Sequence, residues 1–515
     1  MPVAGPPGPK KRRVNGPGVS LPSGLAAANA ALPWVCGALV SCNIALRTCH
    51  VPGFTSVLTG VGGFLGYLAI AVAMYLADRV GLSILCGATN WILWTASLAA
   101  LIGLGIHAGK QGAPASRPPA TVLLYLAPIA VVLLWGWQVL WIPAQGWDVL
   151  GTRTEGFHSW AWTAQQFIEH AGTDAADAFA YEHRHPITLK LVLAWSGWSG
   201  SAGALGLGSM MPWLTFGISL LLVTGGFSWW ATRSHGVTVV SCLVLTSIPL
   251  IENHVLIGGY SELPIALAML SSAVFFVLGV STASRRWLGA GIVLALLPVA
   301  LKNTGIVYTL MPIIALAVTL TVRRSPFLGL ALLAGLAVAA ALLLMNGFST
   351  QFLGQRLEFD PELQRLIFAG KVLFLDVPPM AELWENQYRA FLTNQSFSLS
   401  TAIVLLAFAT VLTHRGEQPG TPGLALLLLT FTFCVLTLVA VQFSDYGFQY
   451  ARPDSDTGLS RFSVPAFVLV PAMTAYLLAV LDGRWRKSLA PAGQALASAS
   501  PLSTAASTKP REGES

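Results

Sequence analysis

Residues 258–280 read GGYSELPIALAMLSSAVFFVLGV, and the next ionisable side chain after Glu262 is Arg285. An uncharged run of this length matches the ~20 residues needed to cross a hydrocarbon core ~30 Å thick. The two glycines loosen the turn before it, and Glu262 stands at the mouth of the span. The fold follows from how often this pattern recurs, and the chemistry from what gathers at its charged ends.

It recurs from end to end. The 515 residues are 54% hydrophobic and only 10% charged, with 17 Trp and a mean hydropathy of +0.67; soluble chains carry about 25% charged residues. The chain therefore reads as a polytopic membrane protein whose partner is the lipid bilayer. Its net charge of +7 speaks to topology and anionic lipid. No segment dense in Lys and Arg suggests a nucleic-acid partner. Of the six cysteines, all but Cys49 lie inside apolar runs, which suits buried small hydrophobes and no disulfide framework.

Spans are read near 55–77, 82–106, 120–142, 211–230, 237–256, 262–280, 287–301, 303–322, 326–346, 398–413, 422–442 and 462–481, with a weaker stretch at 25–45. The expected fold class is an all-α polytopic membrane protein of about 12–13 transmembrane helices. Residues 1–24 read as a basic, disordered tail carrying Lys10–Arg13, 25–487 as the membrane domain, and 488–515 as a disordered tail. The stretch 25–45 is not read as a removed signal peptide; it either crosses, which puts Lys10–Arg13 outside, or lies at the interface, which keeps them inside and is preferred by the positive-inside rule. Arg484, Arg486 and Lys487 mark one face as cytoplasmic, and alternation places Arg415, Arg323–Arg324, Arg285–Arg286 and Arg233 with them. The opposite face receives outer loops 143–210 and 347–397, with nearly all the carboxylates. Pro186–Trp198 is too short to cross and suits a re-entrant or interfacial helix.

Five stretches on that outer face carry ionisable groups. GWDVLGTRTEGFHSW (146–160) brings Trp147, Asp148, Glu155 and His158; HRHP (183–186) brings His183, Arg184 and His185. His254 and Tyr260 precede Glu262, Lys302 interrupts LLPVALKNTG, and Arg461 heads the final span. Singly, such residues are belt tryptophans, loop acids and snorkelling cations. A charge near mid-membrane costs roughly 2.5–3.5 kcal/mol, so Lys302 calls for a partner or a wet cavity. Carboxylates beside a ring of Arg and Lys are what a proton-accepting base and a phosphate leaving group require.

The order of these motifs resembles the GT-C superfamily of membrane glycosyltransferases, in the branch similar to bacterial protein mannosyltransferases and aminoarabinose transferases. The resemblance rests on Trp147–Asp148, on HRHPITLKLVLAW, on GYSELP (259–264), on KNTG (302–305) and on GLSRF (458–462). It covers about 145–470. The sequence departs from the family pattern in having Glu262 for an Asp, Ala164–Gln165 for Lys-Ala, an insertion GTRTEG, and no Glu within KNTG.

The resemblance implies transfer of a sugar from a polyprenyl-phosphate donor to a glycan, lipid or protein acceptor at the periplasmic face of a bacterial inner membrane, with inversion. It assigns Asp148 and Glu262 as catalytic carboxylates and Arg184, Lys302 and Arg461 as donor-phosphate ligands. Trp147, Glu155, His158, His183, His185, His254 and Tyr260 would line the cavity. Some members use a divalent cation, which Asp148 and Glu262 would share. The spacing in Glu182–His185 is unlike ordinary metal sites. The alternatives are a lipid-carrier flippase or transporter, which would place its charges near mid-span, and an O-antigen-type polymerase.

Overall fold

The computed structural model describes residues 23–48, 53–82, 87–111, 124–144, 160, 162–170, 186–201, 207–256, 259–352, 355–368, 371–389, 398–413, 421–451 and 458–481. The readings for Trp147, Asp148, Glu155, His158, His183, Arg184, His185 and the two tails lie outside them.

The protein is an all-α polytopic bundle. Among the described residues nine helices are long and apolar enough to cross a membrane, or ten when one bent pair counts as a span. In chain order the first helices are α1 (Ser23–Thr48), α2 (Phe54–Arg79), α3 (Gly87–Gln111), α4 (Leu126–Ala144), α5 (Trp162–His170), α6 (Thr188–Ser201) and α7 (Leu207–Thr232). Next come α8 (His235–Thr246), α9 (Pro249–Leu256), α10 (Glu262–Thr282), α11 (Arg285–Leu301), α12 (Gly305–Arg324) and α13 (Pro326–Asn346). The remainder are α14 (Met380–Tyr388), α15 (Ser398–Thr413), α16 (Thr421–Val441), α17 (Asp445–Ala451), α18 (Gly458–Phe467) and α19 (Val470–Leu481).

Helix α10 is the axis of the bundle. Every residue from Glu262 to Val280 is buried, because α11, α12, α16, α18 and α7 all pack around it. A helix apolar on all sides can be buried on all sides. The lipid-facing helices are the counterpart: α13 exposes Leu330, Val338, Leu342 and Met345, although its composition is as apolar as that of α10. Hydropathy marks both as spans and cannot tell which one lies inside.

The antiparallel run of α10, α11 and α12 sets the two ends of the bundle apart. Glu262 begins α10 at one end, where Lys302 follows α11; Arg285 and Arg286 begin α11 at the other, where α12 ends in Arg323 and Arg324. Arg323 Nη1 donates to the Val280 carbonyl at 2.9 Å, a cation placed on the carbonyl end of α10 as its dipole favours.

Helix α1 departs from the expectation that 25–45 lies at the interface. It runs antiparallel to α2 through the bundle, since Tyr67 Oη donates to Ala30 O at 2.9 Å and Trp34 Nε1 to Ser219 Oγ at 2.8 Å. A Cβ added to Gly37 would lie 2.1 Å from the Gly62 carbonyl oxygen. Small residues let the two backbones meet at that distance. Because Phe54 of α2 packs on Trp287 near Arg285, α1 begins at the opposite end, level with Glu262. Asn29, Pro33 and Asn43 made this stretch look weak. Asn43 Nδ2 is satisfied by Leu39 O and Ala100 O, at 3.1 and 2.7 Å.

The short helix of the first outer loop, α6, is packed into the bundle. Leu189–Trp195 are buried against α1, α2 and α7. Its 14 residues reach only about 21 Å.

In the loop 347–397 the chain forms an antiparallel meander that hydropathy did not reveal. Its strands are β1 (Phe348–Phe352), β2 (Gln355–Asp360), β3 (Arg365–Phe368) and β4 (Lys371–Phe374), in the order β1-β2-β3-β4. Glu358 pairs with Arg356 and Arg365. The meander is tied to the bundle where Asp376 N donates to Phe443 O at 3.0 Å and Phe374 N to Asp445 Oδ1 at 3.2 Å. Of the cysteines, Cys242 and Cys434 are buried thiols, and Cys36 and Cys42 are half-buried and free.

Candidate functional site

Three of the residues singled out in the sequence meet at the Glu262 end of the bundle. Gly259 has φ +98°, a left-handed conformation that favours glycine. It turns the chain so that Tyr260, Ser261 and Glu262 lead directly into α10. Trp213 Nε1 donates to the Tyr260 carbonyl at 2.8 Å and ties this turn to α7. Glu262, in the first helical turn, places its carboxylate at the positive end of the dipole of α10.

Lys302 is delivered by an equally constrained turn. It has extended backbone, φ −156° and ψ 147°, just after Pro298 in α11, and Gly305 N donates back to its carbonyl at 2.8 Å. A Cβ on Gly305 would sit 1.8 Å from the Pro298 carbonyl oxygen, so glycine is required where α12 starts beneath α11. This gives KNTG its glycine. Arg461 lies in the first turns of α18, and Tyr308 Oη of α12 holds the adjacent Phe462 carbonyl at 2.8 Å.

The three charges form one cluster. Lys302 Nζ donates to Glu262 Oε1 at 2.9 Å, and Arg461 Nε lies 3.2 Å from the same oxygen. The side chains are 12% (Lys302), 9% (Arg461) and 2% (Glu262) exposed. Glu262 Oε2 accepts from the Ser261 hydroxyl at 3.5 Å. Two aromatic rings complete the setting: Arg461 Cζ is 5.1 Å from the ring centres of both Tyr260 and Phe462, and Lys302 Nζ is 5.2 Å from that of Phe462. Such contacts stabilise desolvated cations. One carboxylate oxygen is thus shared by two cations, with all three side chains largely withdrawn from solvent.

His254, on α9, is buried beside the cluster, its ring 5.7 Å from that of Tyr260. Its Nδ1 is 2.7 Å from the Leu250 carbonyl. Asn303 Nδ2, Thr304 Oγ1 and His254 Nε2 are buried and have no hydrogen-bond partner among the described residues.

The first outer loop starts and ends at this same end. Tyr125 Oη meets His235 Nδ1 at 2.8 Å near Arg233, so α4 rises from the arginine end and stops at Ala144 on the Glu262 side. There Gln138 Nε2 reaches Glu252 Oε1 at 3.3 Å. The chain returns at α7, whose Trp213 holds Tyr260. Asp148 follows Ala144 by four residues, no more than about 14 Å of chain.

Lys190 was missed in the sequence: it is 3% exposed, within α6. Its signal was a lone cation in the apolar run ITLKLVLAW. Ser261, Tyr308 and Phe462 were missed as well, since nothing in a hydroxyl or an aromatic at a span end marks what it will touch.

The cluster brings a Lys and an Arg together at one span end, the residue types that hold phosphate and carboxylate groups through charge-assisted hydrogen bonds. No group of three or more His, Cys, Asp or Glu among the described residues is placed to hold a metal ion. No protein-family model, no curated protein sequence and no solved structure matches the chain.

Proposed function

We propose that the protein transfers a sugar from a polyprenyl-phosphate donor to an acceptor hydroxyl at the outer face of a bacterial inner membrane. The observation that carries the reading is the Lys302–Glu262–Arg461 cluster: two buried cations, one carboxylate, at the end of the bundle from which the loop bearing Asp148 departs. A lipid-linked phosphate approaching from the bilayer meets there a fixed positive field that costs no reorganisation when charge develops.

In this reading the acceptor oxygen attacks the anomeric carbon from the face opposite the phosphate. The bond from that carbon to the phosphate oxygen breaks, and the acceptor proton passes to Asp148. Lys302 and Arg461, with Arg184, stabilise the charge that the phosphate gains. Glu262 holds the two cations apart and in place. That role replaces acid–base work, for which a carboxylate oxygen already shared by two cations is poorly suited. The charges gather at helix ends on one side, an arrangement that favours transfer over transport through the middle of the membrane.

The test is transfer in right-side-out and inverted vesicles supplied with radiolabelled polyprenyl-phosphate sugars. Asp148→Asn should lower transfer by about a hundredfold or more, as loss of a general base does, and Glu155→Gln by less than about tenfold. Retained transfer in Asp148→Asn alongside its loss in Glu155→Gln would reassign the base. Wild-type vesicles inactive with every such donor would overturn the reading.

A further inference from the structure

The cluster explains an anion; it does not explain His254. A backbone carbonyl only accepts hydrogen bonds, so the 2.7 Å contact with Leu250 O requires the proton to be on Nδ1. In the neutral ring this leaves Nε2 as a bare acceptor. The two ring nitrogens diverge, which turns Nε2 away from Leu250. The residue is only 5% exposed, and Nε2 has no partner among the described residues. His254 is within electrostatic reach of Glu262, Lys302 and Arg461, and its ring and Arg461 both pack on Tyr260.

An unpaired buried acceptor is expensive, and none of the nearby cations is seen to satisfy this one. A bare phosphate does not satisfy it either, because a phosphate dianion is itself only an acceptor. What completes both halves of the site is a phosphate ester carrying a hydroxyl: oxygens for Lys302 and Arg461, and an O–H for His254. Asn303 Nδ2, next to Lys302, supplies an unused donor for an oxygen of the same group.

We infer that His254 Nε2 accepts a hydrogen bond from a hydroxyl of the ligand, so that the site selects a polyhydroxylated phosphate ester over the bare lipid phosphate. This rests on the proposed function and deepens it. A fixed tautomer makes the selection one of hydrogen-bond complementarity, in which an analogue lacking the hydroxyl leaves the acceptor unpaired. His254 recognises the ligand in this scheme and moves no proton.

The experiment is binding to the full chain in nanodiscs, with two probes: bare polyprenyl phosphate, and polyprenyl phosphate esterified with a hexose. Wild type should bind the hexosyl lipid about threefold to tenfold more tightly, the equivalent of one net hydrogen bond. A set of hexosyl lipids each lacking one hydroxyl should contain one that binds like the bare lipid. His254→Phe should bring the ratio of the two affinities to near one, and His254→Gln, whose amide oxygen can accept, should restore part of it. A wild-type chain that binds both probes equally overturns the inference and leaves the anion site standing. A His254→Phe variant that keeps the full ratio overturns it too. If wild type binds neither probe, the proposed function fails and this inference with it.

Discussion

Glu262→Gln tests the cluster most directly, because it alters charge and almost nothing else. The amide keeps the volume and an acceptor oxygen, and Lys302 can still donate to it across the present 2.9 Å. What disappears is the negative charge between two cations that are 12% and 9% exposed. Removing one member of a buried ion pair costs about 3–5 kcal/mol, mainly because the remaining charge is left uncompensated. Here the oxygen that loses its charge is shared by both cations, so a cost within that range is expected. Lys302→Met is the contrasting change. It leaves the Glu262 carboxylate paired with Arg461 at 3.2 Å and should cost about 1–2 kcal/mol less than Glu262→Gln. The double variant should then be more stable than Glu262→Gln alone, a coupling whose sign no additive scheme can give. Unfolding free energies from steric trapping in bicelles would measure all three. If Glu262→Gln lies within about 1 kcal/mol of wild type, or the two changes simply add, the charges do not act as one unit and the reasoning fails.

Two further changes probe the turn that delivers Lys302 and the orientation of the whole. Gly305→Ala drives a Cβ to 1.8 Å from the Pro298 carbonyl oxygen and should destabilise by about 1–3 kcal/mol or prevent folding. Gly289→Ala, with open space around it in the same assay, should be neutral or stabilise by up to about 1 kcal/mol; equal effects at the two positions would refute the tight turn. Single cysteines at 350, 363 and 384 should react with an impermeant thiol reagent from outside intact cells, and one at 415 should not. Labelling at 415 under those conditions would invert the assigned topology.

The sequence by itself determined that the chain is a membrane protein, where most of its long apolar helices lie, and that its charges divide between two ends. These properties are local. A span is a run of about 20 apolar residues whatever surrounds it, and alternation then sorts Arg285, Arg323 and Lys302 by counting crossings. Candidate residues at span ends were legible for the same reason: a charge at an apolar boundary is conspicuous in the sequence. Tertiary structure alone decided what those charges do. Glu262, Lys302 and Arg461 are separated by 40 and 159 residues, and nothing in their spacing says that they share one carboxylate oxygen. The resemblance made Glu262 a catalytic carboxylate or metal ligand; the geometry shows that its carboxylate is paired with both cations it was to work beside. The same holds for burial. Helices α10 and α13 read alike in hydropathy, yet one is the axis and the other the lipid-facing rim, because lipid and protein interior are equally apolar and only packing tells them apart. Helix α1 looked weak as a span, and its asparagines found partners on α3: Asn43 donates to the Ala100 carbonyl and Asn29 accepts from Trp94 Nε1, contacts that exist only once the helices have assembled.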